Sequence, residues 1–137
     1  MSFEIVETDK YCMKIYPEFS YMEYHIKEGI TMEAEDVAAS KEQVIRLFPG
    51  TMFYVYSEGA EFFTMTKKAR ELVASKDHLD NTIAIAFYTT NISIYLLGDL
   101  FNKINKPPVP TRIFRDRDTA REWLREQAVR NGMEPKF

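Results

Sequence analysis

Residues 101–124 constrain the fold of this chain more than any other stretch. An apolar helix runs out near Asn105, and Lys106-Pro107-Pro108-Val109-Pro110 makes a stiff connection. Thr111-Arg112-Ile113-Phe114 then reads as a short strand, and Asp116 is placed to cap a helix whose Ala120, Trp123 and Leu124 share one face. Proline fixes its own φ, lacks an N–H and pushes the preceding residue out of helical geometry, so the first helix must end there. An aspartate just ahead of a helix accepts from the unpaired amides of the first turn. Helix, rigid link, strand and capped helix together describe the closing unit of a layered α/β domain with parallel strands.

Two earlier units repeat the pattern. Met52-Phe53-Tyr54-Val55-Tyr56 is a near-continuous apolar run, as a strand covered on both faces requires. Thr64 or Thr66 is placed to cap the helix that follows, expected to run to about residue 75 with Met65, Ala69, Leu72 and Val73 on one face. Residues 82–89 form the next strand, and Asn91 caps a helix reaching about residue 105. Upstream, Thr31 is expected to cap a helix that carries Glu33, Glu35 and Asp36 in its first turns and stops at Pro49-Gly50. Residues 3–6, 11–16 and 21–26 read as three short strands joined by tight links, hence an antiparallel meander. The expected fold is α/β: a mixed sheet of antiparallel N-terminal strands and parallel strands with helical crossovers, covered by about four helices. A single domain spans residues 1–137, with residues 133–137 expected to fray.

The helix after Asn91 is apolar nearly all round. Such a helix is expected to be buried on more than one side, either sandwiched within the domain or in a subunit contact. Ile92, Tyr95, Leu96, Leu100 and Phe101 are the candidate interface, and a homodimer is the expected assembly.

Little else points to chemistry. Hydrophobic residues make up 45% of the chain and charged residues 28%, a globular composition. A net charge of −3 leaves no electrostatic footprint for nucleic acid. No apolar run approaches the ~20 residues of a membrane span, and residues 1–4 lack the basic start of a secretory leader, so a cytoplasmic protein is expected. Cys12, the one cysteine, reads as a buried inert thiol. Neither a nucleophile elbow nor a glycine-rich phosphate loop follows a strand. His25 and His78 are the only histidines, and His78, beside Asp77 and Asp80, reads as a solvated turn residue. No catalytic, cofactor-binding or metal-binding residue is assigned, and a non-enzymatic protein is expected. Arg112, Arg115, Arg117, Arg121 and Arg125 alternate with Asp116, Asp118, Glu122 and Glu126, which reads as a solvated, salt-linked helix face. Thr64 and Thr66 sit where a phosphoryl group would meet free helix amides, although capping is the commoner use of such a threonine.

The order of elements resembles the STAS domain of anti-sigma-factor antagonists, in particular the SpoIIAA-like group of small bacterial proteins. The matching residues are Met65-Thr66-Lys67-Lys68-Ala69-Arg70, the proline link at residues 105–110, and Phe114-Arg115-Asp116 with Ala120 and Trp123-Leu124. The resemblance implies a regulatory module that binds a protein partner, switched in that family by phosphorylation of a serine in an Asp-Ser-Ser-Gly type motif. Phe63-Thr64-Met65-Thr66 stands in that place here, so Thr64 and Thr66 are the positions to which a switch role would pass. The fold is also similar to lipid-carrying CRAL-TRIO domains. With 10 Phe, 8 Tyr and 7 Met in the chain, the alternative function is a carrier or sensor of a small apolar molecule, which requires a deep apolar cavity opening near the third helix.

Overall fold

A computed structural model describes residues 3–137; Met1 and Ser2, on which part of the leader expectation rested, lie outside them. The elements are β1 (Glu4–Glu7), β2 (Tyr11–Tyr16), β3 (Tyr21–Ile26), β4 (Thr31–Met32), α1 (Ala34–Leu47) and β5 (Phe53–Gly59), followed by β6 (Thr64–Met65), α2 (Lys67–Val73), β7 (Thr82–Tyr88), α3 (Ile92–Asn105), β8 (Thr111–Phe114) and α4 (Arg117–Arg130). Six strands form one sheet in the order β1-β2-β3-β5-β7-β8. The β1–β2 and β2–β3 pairs are antiparallel, and β3, β5, β7 and β8 run parallel. The expected mixed sheet with four helices is the observed one.

Alternation along the strands sorts the core into two faces. On one face Met13, Ile15, Met22, Ile26 and Phe53 pack against α1 and α2. On the other Tyr21, Tyr54, Tyr56, Ala84, Ala86 and Phe114 pack against Ala120, Leu124 and Ala128 of α4. Alanines on both β7 and α4 let this helix lie close to the sheet, and Ala84, Ala86, Ala120, Leu124 and Ala128 are all fully buried.

Four local expectations are corrected. Thr31 does not cap α1; it belongs to β4, which pairs in parallel with β6 through Thr31–Thr64 and Met32–Met65. The cap is Glu33, whose N–H donates to Asp36 Oδ2 at 2.8 Å, and Lys10 Nζ donates to the same oxygen at 2.8 Å. The two-residue strands β4 and β6 are too short to show a periodicity, which is why the sequence hides them. The second helix is shorter than expected and stops at Val73.

The C-terminal residues do not fray. Met133 N–H donates to Ala128 O at 2.9 Å, and Arg125 Nε donates to Phe137 O at 2.7 Å. The Phe137 ring stacks on Tyr21, with centroids 4.4 Å apart, and reaches Tyr54 at 5.8 Å.

The Arg face of α4 is also not simply solvated. Arg117 and Arg121 turn onto the sheet, as described below, while Arg125 pairs with Glu122 at 3.5 Å.

Phe137→Ala is therefore expected to destabilise the fold by about 1–2 kcal/mol, from a stacked pair plus partly buried ring area. Urea denaturation checks this; a frayed tail would give no change.

Candidate functional site

The three crossover helices α1, α2 and α3 lie over the same face of the sheet but do not close it. The third, α3, is held against β8, where Gly98 lies so close to the Ile113 side chain that any Cβ there would collide with the isoleucine δ-methyl. Between α3, α2 and the strands lies an apolar cavity of about 590 Å³. Its floor is Met22, Val55, Ile85, Phe87 and Ile113, and its walls include Phe63 and Val73 on one side and Ile94, Leu97 and Phe101 on the other. The Phe63 ring lies over Gly59, in space that a Cβ there would need.

Strand residues on the cavity side are only half-buried at Val55, Ile85 and Phe87, although these are central strands. On the opposite side of the same strands Tyr54, Tyr56, Ala84 and Ala86 are sealed.

The expectation that α3 is buried on more than one side fails within the single chain. None of its residues is buried; Leu97 is 67% exposed and Ile104 69% exposed. The reason is that α3 meets the body mainly along one short strand, β8. Of the candidate interface residues, Ile92, Leu96 and Leu100 are exposed, whereas Tyr95 and Phe101 are half-buried, with Phe101 turned to the cavity.

The cavity wall is mainly apolar, with polar side chains interspersed. The Tyr24 hydroxyl is buried without a hydrogen bond of good geometry, although the Ser40 hydroxyl lies near enough to act on it; burial pushes its pKa up. His78 is not a solvated turn residue. It is half-buried in the wall, and burial, helped by the nearby Lys41 charge, brings its pKa down to about 4, so the ring is neutral. Lys41 is spent on structure: its ammonium donates to His78 O, to Asp80 Oδ1 at 2.6 Å and to Asn81 Oδ1 at 2.9 Å. Thr66 caps α2, its hydroxyl oxygen accepting from Ala69 N–H at 3.2 Å. Thr64 is exposed on β6, lines the cavity, and its hydroxyl makes no hydrogen bond among the described residues.

A second constellation lies on the α4 face, toward the carboxyl ends of β3 and β5. Tyr21 and Tyr56 hydroxyls donate to Glu23 Oε2 at 2.6 Å and Glu58 Oε1 at 2.7 Å. His25 stands between the two carboxylates, with Nε2 3.4 Å from Glu23 and Nδ1 3.5 Å from Glu58. Arg117 Nε donates to Glu58 Oε1 at 2.9 Å with its guanidinium over the Tyr88 ring, and Arg121 reaches Glu23 Oε2 at 3.4 Å while lying 4.6 Å above Tyr56.

The hydrogen bond from His25 does most to hold Glu23 at a pKa of about 2; Tyr21 and the Arg121 charge add to it, against burial. Burial works against the Glu58 charge, yet Tyr56 and Arg117 outweigh it and hold that carboxyl below its ordinary value.

Cys12 is half-buried rather than buried, and it sits directly across from His25 in the β2–β3 register. Both ring nitrogens of His25 face carboxylates, however, so neither is directed at the Cys12 sulfur. Among the described residues no cluster of His, Cys, Asp or Glu is arranged to hold a metal ion.

Sequence reading missed this network. Its signal was available in Tyr21-x-Glu23-x-His25 and Tyr54-x-Tyr56-x-Glu58, period-two patterns that put like residues on one face.

A family model described as a domain of unknown function (DUF7793) matches residues 21–128, from β3 to α4, and the chain belongs to this family. No curated protein matches the chain. Among solved structures, an uncharacterised protein of the DUF3478 family with a SpoIIAA-like fold, from Shewanella loihica PV-4, is similar with a TM-score of 0.56. The identity is 12%, and the match covers 90% of this chain and 92% of that one. The fold is SpoIIAA-like, as the sequence resemblance implied. No helix among the described residues is long and apolar enough to cross a membrane.

The carboxylate network makes a pH prediction. A carboxyl whose folded pKa is depressed adds stability that is complete above its unfolded value and is lost as pH falls. Stability should therefore drop as pH goes from about 4.5 toward 2, by on the order of 2 kcal/mol for Glu23 once solvent screening is allowed for. Acid titration followed by circular dichroism checks this, and Glu23→Gln should lower stability at pH 7 while flattening the acid limb.

Proposed function

We propose that this chain is a non-enzymatic cytoplasmic binding module that holds a small, largely apolar molecule between its sheet and α3, as a carrier or sensor. The observation that supports this most is the cavity. Its volume of about 590 Å³ falls within the ~300–1,000 Å³ usual for small-molecule sites. Its mainly apolar lining with polar groups interspersed is what such sites use. The roles found for the reactive side chains support the non-enzymatic part. His78 is neutral in an apolar wall, Lys41 is tied to three acceptors, and His25 is spent between two carboxylates.

The neutral dye Nile red tests the reading. Wild-type protein should bind it with a blue-shifted emission. Ala74→Trp, which places an indole in the cavity wall at the end of α2, should weaken binding at least tenfold without loss of fold. Equal binding by both proteins would place the dye elsewhere and remove the proposal.

A second reading rests on a different observation. Ile92, Leu96, Leu97, Leu100 and Ile104 are all more than 40% exposed on one helix. Apolar stripes of this kind mark contact surfaces, which supports α3 as the place where two copies or a protein partner meet. Light scattering at micromolar concentrations should then give a dimer, and Leu96→Glu should give a monomer. A monomeric wild type would remove the homodimer.

A further inference from the structure

The charge around the cavity says what kind of apolar molecule fits, and this inference rests on the ligand reading above. Among the described residues no aspartate or glutamate lines the cavity, and the two charged residues that do, Lys41 and Arg70, are both cations. Lys41 is already paired with Asp80. Arg70 is different: it is exposed, makes no ion pair among the described residues, and spends one guanidinium nitrogen on Met65 O at 2.6 Å. Arg70, Val73 and Ala74 recur at three and four residues, so one face of α2 carries both the cation and two apolar wall residues. Arg70 thus lines the cavity while remaining exposed, as does Thr64, whose hydroxyl makes no hydrogen bond among the described residues.

An apolar interior beneath one uncompensated cation is complementary to a molecule with an apolar chain and an anionic end. Arginine suits that end because Nε and Nη2 of its planar fork can hold a carboxylate or phosphate with two hydrogen bonds while Nη1 stays on Met65 O. We propose that the cavity takes an anionic amphiphile, its chain lying over Val55, Ile85 and Phe87 and its carboxylate or phosphate held by Arg70. A neutral molecule of the same shape fills the cavity but leaves Arg70 without a partner.

Titration calorimetry with oleate, oleyl alcohol and oleoyl lysophosphatidate tests this on the full chain. Oleate is expected to bind at least tenfold more tightly than the alcohol at low salt. Arg70→Gln should abolish that preference, leave alcohol binding unchanged, and leave the fold unchanged by circular dichroism, since the side chain is exposed. Arg70→Lys should restore part of it. Lysophosphatidate binding more tightly than oleate, with the same Arg70 dependence, assigns phosphate as the anionic end and supports the proposal. Equal binding of oleate and alcohol, or a preference that survives in Arg70→Gln, overturns the headgroup assignment and leaves the cavity reading standing. Failure of all three probes to bind overturns both.

Discussion

The contact between α3 and β8 governs the shape of the whole molecule. Fourteen residues of helix are attached to the body mainly along a four-residue strand, at a point where Gly98 lies against the end of the Ile113 side chain. A helix anchored so far toward the sheet edge cannot also cover β5 and β7. The consequence is visible on those strands, which are sealed on the α4 side and half-open on the other. Apolar side chains left half-exposed on those strands forfeit part of the roughly 25 cal/mol per Å² that burial would give, and stability has to come from elsewhere.

Part of it comes from the opposite face. Alanines at 84, 86, 120 and 128 bring α4 close to the sheet, and the aromatic rings of Tyr21, Tyr54 and Phe137 close the end. Where this face reaches the strand ends, the polar groups satisfy one another. Each carboxylate takes a tyrosine hydroxyl, an arginine and one side of His25. Through Arg117 and Arg121 these pairs fix the start of α4 to β3 and β5.

Most of the fold was legible because its signals are local. The continuous apolar run of β5, Asn91 and Asp116 as caps and the proline link before β8 each act within a few residues, and each was realised, whereas β3, expected from its alternation to be half-buried, has Tyr21 and Met22 buried on opposite faces. What escaped depends on distance. Thr31 has the look of a helix cap, but it pairs with Thr64, 33 residues away. Arg117 and Arg121 look solvated beside their acidic neighbours, but their partners Glu58 and Glu23 lie on strands far upstream. Phe137 looks like a loose end until Tyr21 and Tyr54 are brought beneath it. The site was half legible: an apolar third helix and a Met- and aromatic-rich core signalled unsatisfied apolar surface, but not that Gly98 would hold the helix off the central strands.

The all-round apolarity of α3 divides once its orientation is known. Ile94, Phe101 and Gly98 belong to the side that faces the cavity and β8, whereas Ile92 and Leu96 do not line the cavity. Leu97, Leu100 and Ile104 lie between, lining the cavity while more than half exposed. A molecule in the cavity would cover the first set and the rim, and a second protein surface would cover the outer set and the same rim. Were both proposed occupants to bind, they would share Leu97, Leu100 and Ile104 and be linked thermodynamically: whichever bound first would change the affinity for the other by the same factor in both directions. The sign follows from the rim. If the ligand orders α3 against the sheet, the outer stripe is presented as one rigid surface and association strengthens. If the ligand draws the rim leucines inward, the stripe narrows to Ile92 and Leu96 and association weakens. On the proposed reading, an apolar helix held mainly by one strand would couple occupancy of the interior to the exterior, the physical requirement for a sensor as distinct from a passive carrier.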